Sequence, residues 1–379
     1  MSVYLDHAAT SHPKPEAVLD AVRAALTEYN ANPGRAGHPR ALRAGREILE
    51  ARAALAALLG AKDAMSVIFA FNCTDALNLA VKGSLRVGDH VVATQLEHNS
   101  VLRPLCGLAA RGRITLTLVK PRPDGFVDPD DVERALTGRT ALIACTHASN
   151  VTGAIQPVAA IGQVARRRGI RYLIDGAQAL GGMPVDVEAL GCDLYAFPGH
   201  KSLLGPQGTG GLYVRPGVTL FPQREGGTGS ASDSMLQPAE LPERYETGTL
   251  NLPGIAGLGA GVKYVAPRLS QIMSRERELT GALMEGLADV DGVTLYSPRE
   301  EAARAGIVAF NVGDLPSAQA ADALARRGFD VRGGLHCAPG AHRFLGTLER
   351  GAVRASVGHE TTFEEVEGFV EAVKSLSVP

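Results

Sequence analysis

Two stretches decide how this chain is read: Tyr172-Leu-Ile-Asp-Gly-Ala-Gln178 and Ala196-Phe-Pro-Gly-His-Lys201, whose lysine lies 26 residues beyond the aspartate of the first. In each an apolar run leads to a charged residue, Asp175 in the first and Lys201 in the second. In an open sheet of parallel strands, ligand-binding groups sit where the strands end. Working outward, and counting these two, strands are expected at 66–69, 90–93, 114–119, 141–145, 172–174, 194–197 and 211–214. Several are continuously apolar, as strands buried on both faces must be. Helical patterns lie between them at 40–59, 101–110 and 159–168. Alternation of this kind predicts an α/β domain with a large, mainly parallel seven-stranded sheet covered by helices on both sides.

The pattern breaks in the Gly- and Pro-punctuated segment 216–253. A long helical stretch follows, roughly 254–287, then short strands at 306–312, 331 and 353–357, with helices near 318–327 and 363–376. We expect a large domain over 15–253 and a smaller α+β domain over 254–379, completed by residues 1–14. A chain of 379 residues exceeds most single cores, so two units are the natural division. The net charge of −2, without a basic or acidic run, argues against nucleic acid or an anionic membrane as partner. No apolar stretch approaches the roughly 20 residues of a membrane span. The N-terminus lacks the features of a signal peptide. The five cysteines form no CxxC pair, which argues against a disulfide framework or a zinc site and for a reducing, cytoplasmic setting.

A lysine and an aspartate at neighbouring strand ends are the pair that pyridoxal 5'-phosphate (PLP) chemistry needs. The amine forms a Schiff base with the cofactor, and a carboxylate keeps the pyridine nitrogen protonated. Lys201 and Asp175 suit these roles, and Gly205-Pro-Gln-Gly-Thr-Gly-Gly211 follows the lysine. Phe71-Asn-Cys-Thr-Asp-Ala-Leu-Asn78 follows a strand and opens a helix, so Cys73 and Thr74 lie where free amides and the helix dipole favour a phosphate. Thr74 as a plain helix cap is the alternative. His98, in Leu96-Glu-His-Asn-Ser100, can stack on a ring and move protons, or can be an ordinary loop histidine.

Near the C-terminus, Val331-Arg-Gly-Gly-Leu-His-Cys-Ala-Pro339 puts Cys337 in a Gly-rich, His-flanked loop, a setting for a reactive thiolate. The Gly333-Gly334 pair reads as a mobile loop. Cys106, Cys145 and Cys192 read as core residues. Arg354, in Val353-Arg-Ala-Ser356, can grip a carboxylate bidentately or serve a structural ion pair.

In this order, and over essentially the whole chain, these motifs resemble the cysteine desulfurase and selenocysteine lyase group of class V PLP enzymes. The likeness starts with Tyr4-Leu-Asp-His-Ala-Ala-Thr10 and ends with the Cys337 loop and Arg354. It implies the PLP-dependent aminotransferase fold (fold type I). It also implies Lys201 as Schiff-base lysine, Asp175 on the ring nitrogen and His98 stacked on the ring. Asn150 (in Ala148-Ser-Asn-Val-Thr-Gly153) and Gln178 would contact the ring's phenolic oxygen, with Thr74 and His200 at the phosphate. Thr249, in Tyr245-Glu-Thr-Gly-Thr-Leu-Asn251, resembles the threonine that reaches the phosphate from a partner subunit, so a homodimer is implied. Arg332 and His336-Cys337-Ala338 resemble the second group's Arg-x-Gly-His-His-Cys-Ala.

The implied reaction takes sulfur from L-cysteine: Arg354 docks the carboxylate, Lys201 removes the α-proton, and the Cys337 thiolate attacks the substrate sulfur. L-alanine and an enzyme persulfide result, the latter destined for an acceptor protein. The chain departs from the pattern at Pro198, Cys73, Leu335 and Glu360-Thr361-Thr362. A selenocysteine lyase, a C–S β-lyase, an aminotransferase or an epimerase are the alternatives on the same cofactor.

Overall fold

The computed structural model describes residues 2–34 and 36–377. Its main sheet has seven strands in the order Val67–Ala70, Gly210–Val214, Leu194–Pro198, Arg171–Asp175, Thr140–Thr146, Asp89–Thr94, Ile114–Val119. Gly210–Val214 runs against both neighbours and the other pairings are parallel. The apolar runs are continuous because alternate residues feed two cores. Ile143, Cys145, Tyr172, Ile174, Tyr195 and Phe197 pack on one face, and Leu142, Ala144, Leu173, Leu194 and Ala196 on the other. The mainly parallel seven-stranded sheet expected from the sequence is therefore present.

On one side Leu252–Val265 packs against Glu16–Thr27 and Pro39–Leu59. Its glycines allow the close approach: a Cβ on Gly259 would come within 2.8 Å of the Ala51 Cβ. The expected single helix over 254–287 is in fact two, Leu252–Val265 and Leu269–Ala288, separated by the 3₁₀ turn Ala266–Arg268. Pro267 lacks an amide hydrogen and its ring clashes with the preceding turn, which accounts for the break.

The second sheet is antiparallel, in the order Arg332–Gly334, Ala352–Ser356, Ile307–Val312, Val293–Leu295. Leu279, Leu283, Phe310 and Phe369 build its core, and Leu5 from the N-terminus joins them. Val3–Tyr4 pairs in parallel with Phe329–Asp330, and Asp6 bridges to Ser356. Two expectations are corrected here. Gly333 and Gly334 form a strand instead of a loop: a Cβ on Gly333 would meet the Ser317 carbonyl at 2.3 Å, so glycine serves packing there. Cys106 is exposed on Asn99–Ala110, whereas Cys145 and Cys192 are buried as expected.

Candidate active site

The strand ends Asp89–Thr94, Thr140–Thr146, Arg171–Asp175 and Leu194–Pro198 open on one cleft. Cys73, Thr74, His98, Asn150, Asp175, Gln178, His200 and Lys201 all line it. The sequence-derived residues thus converge with two exceptions that lie beside the cleft, Cys337 and Arg354, and one that lies elsewhere, Thr249.

Lys201 sits in the loop that leaves Leu194–Pro198, and its carbonyl is held by Ser11 Oγ at 2.9 Å and by Leu204 N at 2.8 Å. Burial brings its ammonium down to about 8, the Arg354 guanidinium pushing the same way and Asp175 opposing. An amine so placed is partly neutral near pH 8. Asp175 is buried and takes the Ala177 amide on Oδ1 at 3.0 Å. Cys73 Sγ lies 3.6 Å from the same oxygen.

The helix Cys73–Ser84 is capped by Asn72, whose side chain accepts from the Asp75 amide at 2.9 Å. The capping role therefore does not fall on Thr74. Its hydroxyl instead meets Ser100 Oγ at 2.8 Å. Amides of the first helical turn have no partner within the helix, which makes this end a seat for an anion. His200 Nδ1 is buried with no partner among the described residues, and burial pushes this imidazole down to about 4.

His98 caps the helix Asn99–Ala110: its Nδ1 accepts from the Ser100 amide at 3.0 Å. Nδ1 is thereby an acceptor, so the neutral ring carries its proton on Nε2. Burial lowers its pKa, while the Asp175 carboxylate raises it. Ser100, which ties Thr74 to His98 (Nδ1 to Oγ, 2.9 Å), went unrecognised in the sequence. Its place two residues after the histidine was the available signal. Glu97 was also missed. It is wholly buried, accepts Thr94 Oγ1 at 2.5 Å and the Thr146 amide at 2.9 Å, and burial pushes it up to about 7.

Cys337 is exposed, with φ of 57°, and His336 before it has φ of 47°. Two bonds clip this turn to the rim of the cleft. The Asn99 amide donates to the Cys337 carbonyl at 2.7 Å, and Asn150 Nδ2 donates to the His336 carbonyl at 2.6 Å. The His336 ring turns inward and donates from Nε2 to the Ala352 carbonyl at 3.0 Å, burial pushing it down to about 3. Arg354 is fully buried; it donates to the Asn150 carbonyl at 3.0 Å and to Asp6 Oδ1 at 2.7 Å. Arg354 thus makes an ion pair with Asp6, and its Nε is left without a partner among the described residues. Gln178 Nε2 donates to the Ala8 carbonyl at 3.0 Å. Thr249 is exposed and lines a different pocket, beside Phe71 and Arg224.

These residues fit a flat, phosphate-bearing cofactor. The cleft offers a helix N-terminus and an unpartnered buried histidine nitrogen for the phosphate, a buried carboxylate for a ring nitrogen and a buried amine for an aldehyde. Among the described residues no helix is long and apolar enough to cross a membrane.

A family model described as "Aminotransferase class-V" matches residues 3–369. A "Probable cysteine desulfurase" from Methanothermobacter thermautotrophicus is 37% identical over 99% of this chain and 94% of its own length. A "Cysteine desulfurase" from Enterobacter sp. is 35% identical over 98% of this chain and 93% of its own. Among solved structures, the apo cysteine desulfurase of Thermococcus onnurineus superposes with a TM-score of 0.93 at 34% identity, covering 99% of this chain and 94% of that one. That similarity extends the agreement to the expected fold.

Proposed function

The chain belongs to the aminotransferase class-V family, and within it we propose that it is a PLP-dependent cysteine desulfurase, taking sulfur from L-cysteine onto Cys337. The observation that carries this reading is an exposed Cys337 whose own carbonyl and that of its neighbour are bonded to the rim of the Lys201 cleft. The full-length similarity to relatives named cysteine desulfurase supports it. A direct β-lyase has no need of such a thiol.

When bound, PLP supplies an electron sink for the bonds broken at the substrate's α- and β-carbons. Lys201 would hold the cofactor covalently and would serve as the base for the α-proton, a task suited to an amine lowered to about 8. Asp175 would pair with the ring nitrogen, His98 would serve the ring, and Gln178 and Asn150 would serve the phenolic oxygen. Thr74, His200 and the Cys73 end of the helix would hold the phosphate. Arg354 steers the substrate carboxylate, with Asp6 and the Asn150 carbonyl holding its guanidinium in orientation. The Cys337 thiolate attacks the substrate sulfur; the carbon–sulfur bond breaks, a sulfur–sulfur bond forms, and the β-carbon takes a proton. L-cysteine and the Cys337 thiol thus become L-alanine and a Cys337 persulfide.

The working unit in this reading is a homodimer. Thr249 lies outside the Lys201 cleft of its own chain and is exposed, as a residue serving a partner's phosphate site must be. An acceptor protein then removes the sulfur, in a cytoplasmic setting. The test is the product pair formed from L-cysteine by the wild type and by Cys337→Ala, with the cofactor's absorption band recorded on both.

A further inference from the structure

Cys73 lines the Lys201 cleft and no step above uses its sulfur. It is the first residue of the helix Cys73–Ser84, and the sheet fixes it closely: a Cβ on Gly210 would come within 3.0 Å of the Cys73 nitrogen. Its Sγ lies 3.6 Å from Asp175 Oδ1, the oxygen that also takes the Ala177 amide at 3.0 Å. Among the described residues nothing donates to Asp175 Oδ2. Both protein donors therefore fall on one carboxylate oxygen. A carboxylate held by two donors on one side is fixed in rotation, and its other oxygen keeps its full acceptor capacity.

Burial, reinforced by the Asp175 charge, pushes the Cys73 thiol well above its ordinary range. The thiolate is the nucleophile in sulfur chemistry, so a thiol held protonated is a donor and not a second sulfur carrier. Cys337 differs: it is exposed, and its backbone is tied to the rim.

We infer that Cys73 is a positioning residue for Asp175: its S–H donates to Oδ1, fixes the carboxylate and leaves Oδ2 for the cofactor's ring nitrogen. This rests on Asp175 being that nitrogen's partner. The prediction is for the loaded enzyme. Cys73→Ala shifts the apparent pKa of the cofactor's visible band by more than about 0.5 unit and speeds cofactor release several-fold, since a carboxylate's hydrogen bonds set how strongly it holds a charged partner. Cys73→Ser, which keeps a donor, shifts the band by less than the alanine variant. An alanine variant matching the wild type in both measures overturns the inference. Peptide mapping after a turnover with L-cysteine finds persulfide on Cys337 alone; persulfide on Cys73 also overturns it.

A cofactor-free readout separates this inference from the reading beneath it. In the apoprotein, Asp175→Asn speeds alkylation of Cys73 by iodoacetamide at pH 8 several-fold, because the charge that reinforces burial in holding the thiol protonated is gone. An unchanged rate contradicts the contact. A wild type that binds no PLP sinks the proposed function instead, while the alkylation still decides whether Cys73 meets Asp175.

Discussion

Asn150 Nδ2 donates to the carbonyl of His336 across 2.6 Å, so a side chain on the wall of the cofactor cleft holds the residue next to Cys337. The Asn150 carbonyl in turn takes Arg354 Nη1 at 3.0 Å. One residue thus connects the cleft, the cysteine turn and the candidate carboxylate-binding arginine.

Removing the Asn150 amide should loosen the turn. Asn150→Ala is expected to lower persulfide formation roughly tenfold, since misplacing a nucleophile by about 1 Å has costs of that order or more. Hydrogen exchange at the amides of 337–338 should accelerate in the same variant. A normal rate with unchanged exchange would contradict the clip.

The pairing of Arg354 with Asp6 makes the N-terminal segment part of the site. Arg354 is 2% exposed and the Asp6 side chain 21%. Asp6→Ala leaves a buried guanidinium short of its counter-charge, and breaking such pairs costs about 3–5 kcal/mol when both partners are buried, less here because Asp6 is partly wet. Denaturant unfolding should show a loss of about 2 kcal/mol. The KM for L-cysteine should rise together with that loss. A variant with wild-type stability and KM would show that Asp6 does not support the arginine.

A second buried pair offers a stability test away from the chemistry. Arg52 and Glu246 are both nearly inaccessible and make a bidentate pair at 2.7 and 2.8 Å, with the Phe69 amide also donating to Glu246 at 2.6 Å. Glu246→Ala strands the Arg52 charge and should cost about 3–5 kcal/mol by the same measurement. It should also disorder the adjoining segment that carries Thr249 and so weaken cofactor retention. A loss below about 1 kcal/mol would contradict this account.

The buried histidines set the response to acid. Burial lowers His7, His147, His200 and His342 to about 4 and His336 to about 3. Between pH 6.5 and 4 the unfolded chain therefore binds protons that the native chain refuses, and stability falls as pH falls. Glu97, raised to about 7, and Glu276, raised to about 8, act in the opposite sense above pH 4.5, but the histidines outnumber them. The denaturation midpoint of the apoprotein should drop across this window, and less so for His336→Gln. A flat profile would contradict the assigned shifts.

The sequence made the central sheet legible because its strands are apolar on both faces, and an acid and a lysine at the ends of two such strands are hard to miss. Contacts between distant residues left no such trace. Nothing in the spacing joins Asp6 to Arg354 or Arg52 to Glu246, because each pair is assembled only by packing. Gly333 and Gly334 misled for a different reason. Glycine carries no side chain for a periodicity to register, so a strand that needs it for close approach to Ser317 looks like a flexible loop. Pro267 is the one residue in the long helical stretch whose chemistry marks the break.

The most direct test of the central claim is the measurement of L-alanine and protein-bound persulfide formed from L-cysteine, wild type against Cys337→Ala. The account predicts both products from the wild type and neither from the variant, with the cofactor's absorption band intact in each. A variant that keeps its turnover, or a wild type that yields pyruvate and free sulfide, would contradict it.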